Sequence, residues 1–380
     1  MIELLFILLP IAAASGWYVA VKQFKSKQLS GSTNNTEYFQ GLNYLLNEQT
    51  DKAIGVFVDL LDVDDETVEI HLALGTLFRQ RGEVEKSIRL HQNLIARPEL
   101  KQTVRMDVLN ELGLDYMRAG LLDRAENIFL ELEKDRRHTQ VATKQLLSIY
   151  QQEKEWPKAI EYASKLEAVT GVKQPIILCH LNCEVAQQQL LKYDLSSARS
   201  QIKKAIKIDP LSIRASVMLA QLLMKDLDFK SALKILEGMI DKDERFVPVY
   251  LHLALTCLDK LNKPKQKLNF LRNLYERVGG RLVSNAFIDA LIQYEEPENV
   301  TDFLTQQLHA SPDITLLKPY LAIRKNLSNY DELNFIHQIL QEIEEVALSF
   351  QCQHCGFTSI ELHWNCPSCQ TWGESIPLHT

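Results

Sequence analysis

Gly41–Phe57, GLNYLLNEQTDKAIGVF, and Leu112–Phe129, LGLDYMRAGLLDRAENIF, share one frame. In each, a glycine (Gly41, Gly113) precedes a tyrosine by three residues (Tyr44, Tyr116) and an alanine by twelve (Ala53, Ala125). A phenylalanine follows four further on (Phe57, Phe129). Steps of three and four place side chains on one face of a helix. The small residues let two antiparallel helices approach closely, and the rings fill the gap between them.

The frame recurs along the chain. Gly75 stands 34 residues after Gly41, and Gly113 follows at 38, with a loop insertion around RPELKQ. Leu147 comes at 34, Ala186 at 39 after the loop TGVKQP, then Ala220 and Ala254 at 34 each. A helix pair repeating at this period resembles the tetratricopeptide repeat. Seven units are readable. Two more helix pairs, about 281–309 and 313–346, keep the helical period but lose the signature, as the end units of a solenoid do. The fold class expected is mostly α, with a solenoid of about nine helix pairs over 36–347. Such a stack has no catalytic centre by default, so the chain is expected not to be an enzyme. It offers a concave surface lined by the first helix of each pair. Positions facing that surface are Arg79, Asn110, Lys144, Gln151, Gln187, Arg214 and Gln221. Each alone is also what a solvated helix face presents; together they mark a candidate partner groove.

The remaining residues narrow the chemistry. At 380 residues the chain exceeds one core. Its formal net charge of −7 gives no electrostatic ground for nucleic-acid binding. No lysine or arginine follows Lys325, so the C-terminal end is acidic. Cys179 and Cys183, four apart among leucines, read as small core residues, and Cys257 takes the frame position of Tyr44. ERVGGR, around Gly279 and Gly280, lacks a P-loop lysine and reads as a loop.

Leu4–Val21, LLFILLPIAAASGWYVAV, is 18 residues without a charge, long enough for a spanning helix. Only the α-amino group and Glu3 precede it, whereas Lys22, Lys25 and Lys27 follow. A signal peptide has the opposite charge order. The positive-inside rule puts the N-terminus in the periplasm and the bulk of the chain in the cytoplasm. Residues 1–21 are therefore expected to be a single-pass anchor, and 22–35 a basic, polar tether.

Near the C-terminus, CQHCGFTSIELHWNCPSCQTWGE (Cys352–Glu374) holds two C-x-x-C pairs, Cys352/Cys355 and Cys366/Cys369. Two such turns face four sulfurs around one ion, at about 2.3 Å for zinc. Residues 348–380 are thus expected to form a small β metal ribbon, with FTSIELHWN as its hairpin. Phe357, Trp364 and Trp372 are expected to form a core around the metal. Gly356 supplies backbone freedom for the first turn. A disulfide pairing fails in the reducing cytoplasm. Zinc is favoured, and iron is the alternative a tetrathiolate set also suits. With no basic residue after 325, the ribbon lacks the cations that phosphate binding needs. It is expected to pack against the last repeats as a metal-stabilised cap.

An N-out anchor backed by lysines, a tetratricopeptide array and terminal CQHCGF and WNCPSCQTW together resemble the lipopolysaccharide assembly protein B family of Gram-negative bacteria. The resemblance covers essentially the full length. It implies a rubredoxin-like ribbon with Cys352, Cys355, Cys366 and Cys369 as ligands. It also implies an inner-membrane adaptor restraining lipopolysaccharide synthesis, which presents the deacetylase LpxC to the membrane protease FtsH and sits near the lipopolysaccharide transport machinery. Two other classes share the parts: a membrane-tethered rubredoxin-like electron carrier, and a general peptide-binding scaffold.

Overall fold

The structure is a computed structural model that describes residues 65–310 except 99, 314–327 and 349–378, with 40, 43, 44, 52 and 56 as isolated positions. The anchor expected over 1–21, the tether over 22–35 and most of the first repeat lie outside the described residues. Among the described residues no helix is long and apolar enough to cross a membrane. The chain divides into two compact units, Met1–Lys154 and Glu155–Thr380.

The first unit contains α1 (Asp65–Gln80), α2 (Val84–Ile95), α3 (Gln102–Ala119), α4 (Leu122–Leu132) and α5 (Thr139–Gln152). Small residues stand where the frame placed them, because nothing larger fits. A Cβ on Gly75 would lie 2.3 Å from His91 Nε2, and one on Gly113 would lie 2.8 Å from Phe129 Cζ. Around Phe129 gather the fully buried Ala125 and Leu132. The consecutive first helices α1 and α3 are also tied by charge. Arg79 on α1 holds Glu111 at 2.6 Å and Asp115 at 2.7 Å on α3. Asp115 is fully buried, and His91 Nδ1 and Ser87 Oγ on α2 reach its carboxylate at 2.6 and 2.7 Å. Buried carboxylates persist where such partners replace water.

The second unit runs α6 (Trp156–Thr170), α7 (Pro175–Leu191), α8 (Leu195–Ile208), α9 (Ile213–Lys225), α10 (Phe229–Glu237), a 3-10 turn (Glu244–Phe246), α11 (Val247–Lys260), α12 (Pro264–Arg277), α13 (Arg281–Tyr294), α14 (Pro297–Ala310) and α15 (Ile314–Leu327). The loops expected around RPELKQ and TGVKQP fall between α2 and α3 and between α6 and α7. Cys179, Cys183 and Cys257 are fully buried core residues, as their apolar neighbours implied.

Six first helices, α1, α3, α5, α7, α9 and α11, end alike. Gly82, Gly120, Lys154, Tyr193, Leu227 and Asn262 all have positive φ, between 52° and 83°. In this left-handed turn the next amide reaches back to a carbonyl five residues earlier, as Leu121 N to Tyr116 O at 2.9 Å and Asp228 N to Leu223 O at 2.9 Å. That closes the open carbonyls of the helix end. Glycine enters such a conformation at little cost, and a bulky residue does not.

The ribbon is a three-stranded antiparallel sheet ordered β2-β1-β3, of β1 (Phe350–Cys352), β2 (Thr358–Ser359) and β3 (Ser375–Pro377). FTSIELHWN is not the extended hairpin its alternation suggested. After β2 its pairing is confined to the isolated bridge Asn365–Trp372, and the second full partner of β1 is the C-terminal strand. The placement of the sheet corrects the cap. Trp372 stacks on His180 of α7 at 5.3 Å, and Trp364 stacks on Phe246 before α11 at 5.9 Å. A Cβ on Gly373 would meet His180 Nε2 at 3.1 Å and Ile176 Cγ2 at 3.6 Å. Among the described residues the ribbon therefore seats on the N-terminal part of α7 and the turn before α11 rather than on the last repeats. The physical reason is local: α10 is only nine residues long and leaves a 3-10 turn that presents Phe246.

Candidate metal centre

Each C-x-x-C pair sits in the same turn. Gly356 N bonds Cys352 O at 2.9 Å, and Gln370 N bonds Cys366 O at 2.8 Å. Cys352 N then bonds Phe357 O, and Cys366 N bonds Thr371 O, both at 2.9 Å. The turn closes through a left-handed residue, Gly356 in the first knuckle at φ 78° and Gln370 in the second at φ 59°. The sequence marked the glycine; it gave no sign of Gln370, because no composition rule expects glutamine there.

These two turns bring the four Sγ atoms within 4.8 Å of one another. Cys352 and Cys369 sulfurs are 3.7 Å apart, and Cys355 and Cys366 sulfurs 3.6 Å. A tetrahedron with metal–sulfur bonds of about 2.3 Å has edges of about 3.8 Å. The set fits one ion, which would hold the two knuckles together. His354 and His363 are not in the cluster, and His363 Nε2 lies 3.2 Å from Ser359 Oγ.

The shell favours thiolates unevenly. The Thr371 hydroxyl lies 2.9 Å from Cys369 Sγ and with the Thr371 amide holds that thiol down to about 5. Burial pushes the Cys366 thiol up to about 11. Thr371 was absent from the sequence reading; its only signal is its place two residues after Cys369. Phe357, Trp364 and Trp372 do not form a core about the metal as expected. Phe357 rests 6.2 Å from His363, while the two tryptophans turn outward to the helices.

His180, which the sequence did not single out, is the helix side of that contact. It is 6% exposed, its Nδ1 has no hydrogen-bond partner, and its basicity falls to about 3 through burial and then the nearby Arg214.

The seven groove positions divide by environment. Arg79 is held by Glu111 and Asp115, and Arg214 is buried with Glu184 at 2.8 Å, so both join neighbouring first helices within the chain. Asn110 is partly buried with Nδ2 3.3 Å from Glu111 Oε1, and Gln151 is partly buried. Lys144, Gln187 and Gln221 are exposed.

Residues 350–374 match the rubredoxin metal binding domain, and residues 70–103 match the tetratricopeptide repeat. Over 383 residues the chain is 35% identical to lipopolysaccharide assembly protein B of Escherichia coli (strain K12), spanning 100% of this chain and 98% of that protein. The chain belongs to the lipopolysaccharide assembly protein B family. The Haemophilus influenzae member is 34% identical over 396 residues, again across 100% of this chain and 98% of its own. Among solved structures, that of MamA protein matches 49% of this chain and 96% of its own at 20% identity, with a TM-score of 0.34.

Proposed function

We propose that this chain is an inner-membrane-anchored cytoplasmic adaptor that restrains lipopolysaccharide synthesis by promoting FtsH-dependent proteolysis of the deacetylase LpxC. The observation that carries the reading is full-length identity to proteins named for lipopolysaccharide assembly. The architecture supports an adaptor: a helical array with surface to offer, and a metal ribbon seated on it through two tryptophans. An anchor over 1–21 would confine the array beside membrane partners and raise their effective concentration without new contacts. The groove positions Asn110, Lys144 and Gln151 of the first unit and Gln187 and Gln221 of the second are where partners would be met, with Arg79 and Arg214 each joining neighbouring helices of its own unit. The tetrathiolate site is assigned to structural zinc.

Deleting the gene in its own organism is expected to lengthen the LpxC half-life to that of an FtsH-depleted strain. The full chain restores it, and a chain lacking 1–21 does not. An LpxC half-life unchanged by deletion would overturn the reading. One zinc per colourless chain is expected; as-purified iron with a reversible one-electron couple would favour the electron-carrier reading.

A further inference from the structure

Three consecutive first helices of the second unit leave an apolar pocket of about 400 Å³ between them. Leu190 of α7, Met218, Leu222 and Met224 of α9 and Leu253 of α11 form its walls. Gln221 and Lys225 supply its polar lining, and no acidic residue is among the lining groups. Two unbranched thioethers in so small a site make it adaptable to aliphatic side chains of different shape.

The pocket continues onto an apolar rim. Leu191, Tyr193 and Leu227 are 72%, 90% and 75% exposed. These residues follow wall residues in the same helix ends: Tyr193 N bonds Leu190 O at 3.1 Å, and Leu227 N bonds Met224 O at 3.0 Å. Tyr193 and Leu227 are the left-handed residues of their turns, at φ 59° and 62°, where the first unit has Gly82 and Gly120. A bulky side chain there strains the backbone. Exposed, these two side chains return little to the fold. Strain and exposed apolar surface at two adjacent repeats are the marks of a surface used by something else.

The charge around the pocket selects what that is. Lys225 and Lys192 are exposed beside it. Lys225 is the one charged group in the lining itself. Of the acids nearby in sequence, Asp226 pairs with Arg199, while Asp194 and Asp228 cap the following helices as carboxylates held below the usual range.

We propose that this surface binds an acidic, apolar peptide segment of a partner protein, with aliphatic side chains in the pocket and a carboxylate at Lys225. The inference deepens the adaptor reading and rests on it for the identity of the partner, but the binding chemistry is tested independently. The probe is a fluorescein-labelled twelve-residue peptide of alternating leucine and aspartate, with a leucine–lysine peptide and a serine–aspartate peptide as controls. Binding to the full chain in detergent micelles is read by anisotropy.

The leucine–aspartate peptide alone is expected to bind. Lys225→Glu is expected to weaken it about tenfold, the loss of one charge-assisted contact. Leu227→Gly is expected to weaken it several-fold while raising the melting temperature, because glycine relaxes the turn; a merely structural leucine would lose both together. Equal binding of the lysine peptide, no binding of the aspartate peptide, or affinities untouched by both substitutions would overturn the proposal. So would quenching by spin-labelled lipid in nanodiscs of the fluorescence that Tyr193→Trp adds over the unsubstituted chain, which would assign the rim to the bilayer. If the peptide binds as expected while LpxC turnover ignores Lys225→Glu, the binding chemistry stands and its part in LpxC turnover falls; the adaptor reading itself falls only if deletion leaves the half-life unchanged.

Discussion

At the scale of single residues, close approaches carry the largest consequences. Gly75 has no room for a methyl group, because His91 is held by the buried Asp115 and cannot withdraw without breaking that contact. Gly75→Ala is expected to destabilise the first unit by about 1–3 kcal/mol, the cost of overpacking a tied site. Gly113→Ala meets the ring edge of Phe129 at 2.8 Å and Ile128 Cγ2 at 3.2 Å, neither as close as His91 to Gly75, and is expected to cost less; thermal melts of the two variants would rank them. His180 couples the ribbon to pH. Its folded value near 3 lies below the ordinary 6.5, so the seated imidazole is neutral and protonation favours the unseated state. The stabilisation is fully present above pH 6.5 and is lost as pH falls through 6.5 toward 3, reaching roughly 2 kcal/mol by pH 5. Tryptophan fluorescence of Trp364 and Trp372 between pH 7 and 5 should report it. His180→Phe should flatten that response while keeping the stacking, and an equal response in that variant would show that another group is titrating.

At the scale of elements, the ribbon acts as a metal-closed clasp on the middle of the second unit. Trp372 is buried there against His180, and an aromatic side chain buries about 150–250 Å², worth about 4–6 kcal/mol at 25 cal/mol per Å². Metal removal by a chelator, or Cys366→Ser with Cys369→Ser, should open the two knuckles and release that surface. The expected melt of the second unit falls by on the order of 10 °C, at about 2–4 °C per kcal/mol. Hydrogen exchange should quicken first at the start of α7 and in the turn before α11, leaving α13 and α14 at their original rate. Quickening at α13 and α14 instead would restore the terminal cap. The clasp was not legible from the sequence. Trp364 and Trp372 lie among cysteines and invite placement around the metal, but the sulfurs already fill that volume and the rings pack outward.

At the scale of the whole molecule, 18 uncharged residues followed by three lysines set where the chain should reside. Cell fractionation is expected to leave the full chain with the inner membrane after carbonate washing and to release it with detergent, whereas a chain lacking 1–21 is expected to be soluble. Externally added protease should spare residues 22–380 in spheroplasts. Cleavage of the ribbon from outside, with Cys352 paired to another cysteine, would reverse the topology. The acidic C-terminal end adds a limit on partners: with no lysine or arginine after Lys325, the ribbon has none to offer an acidic partner, and charge-based docking there needs a basic one.

The helix pairs, the two inserted loops and the four sulfur ligands were readable without coordinates. Repeat period, small residues and C-x-x-C spacing are local signals, each written within a few dozen residues by the geometry of one helix contact or one turn. The seat of the ribbon, the buried tie through Asp115, the engagement of Arg79 and Arg214, and the apolar rim at Tyr193 and Leu227 emerged only on folding. Each depends on side chains brought together from separate helices or turns, or on which residue of a turn is left facing water. Sequence spacing encodes what a segment does to itself; burial and charge partnership are properties of the neighbours it meets.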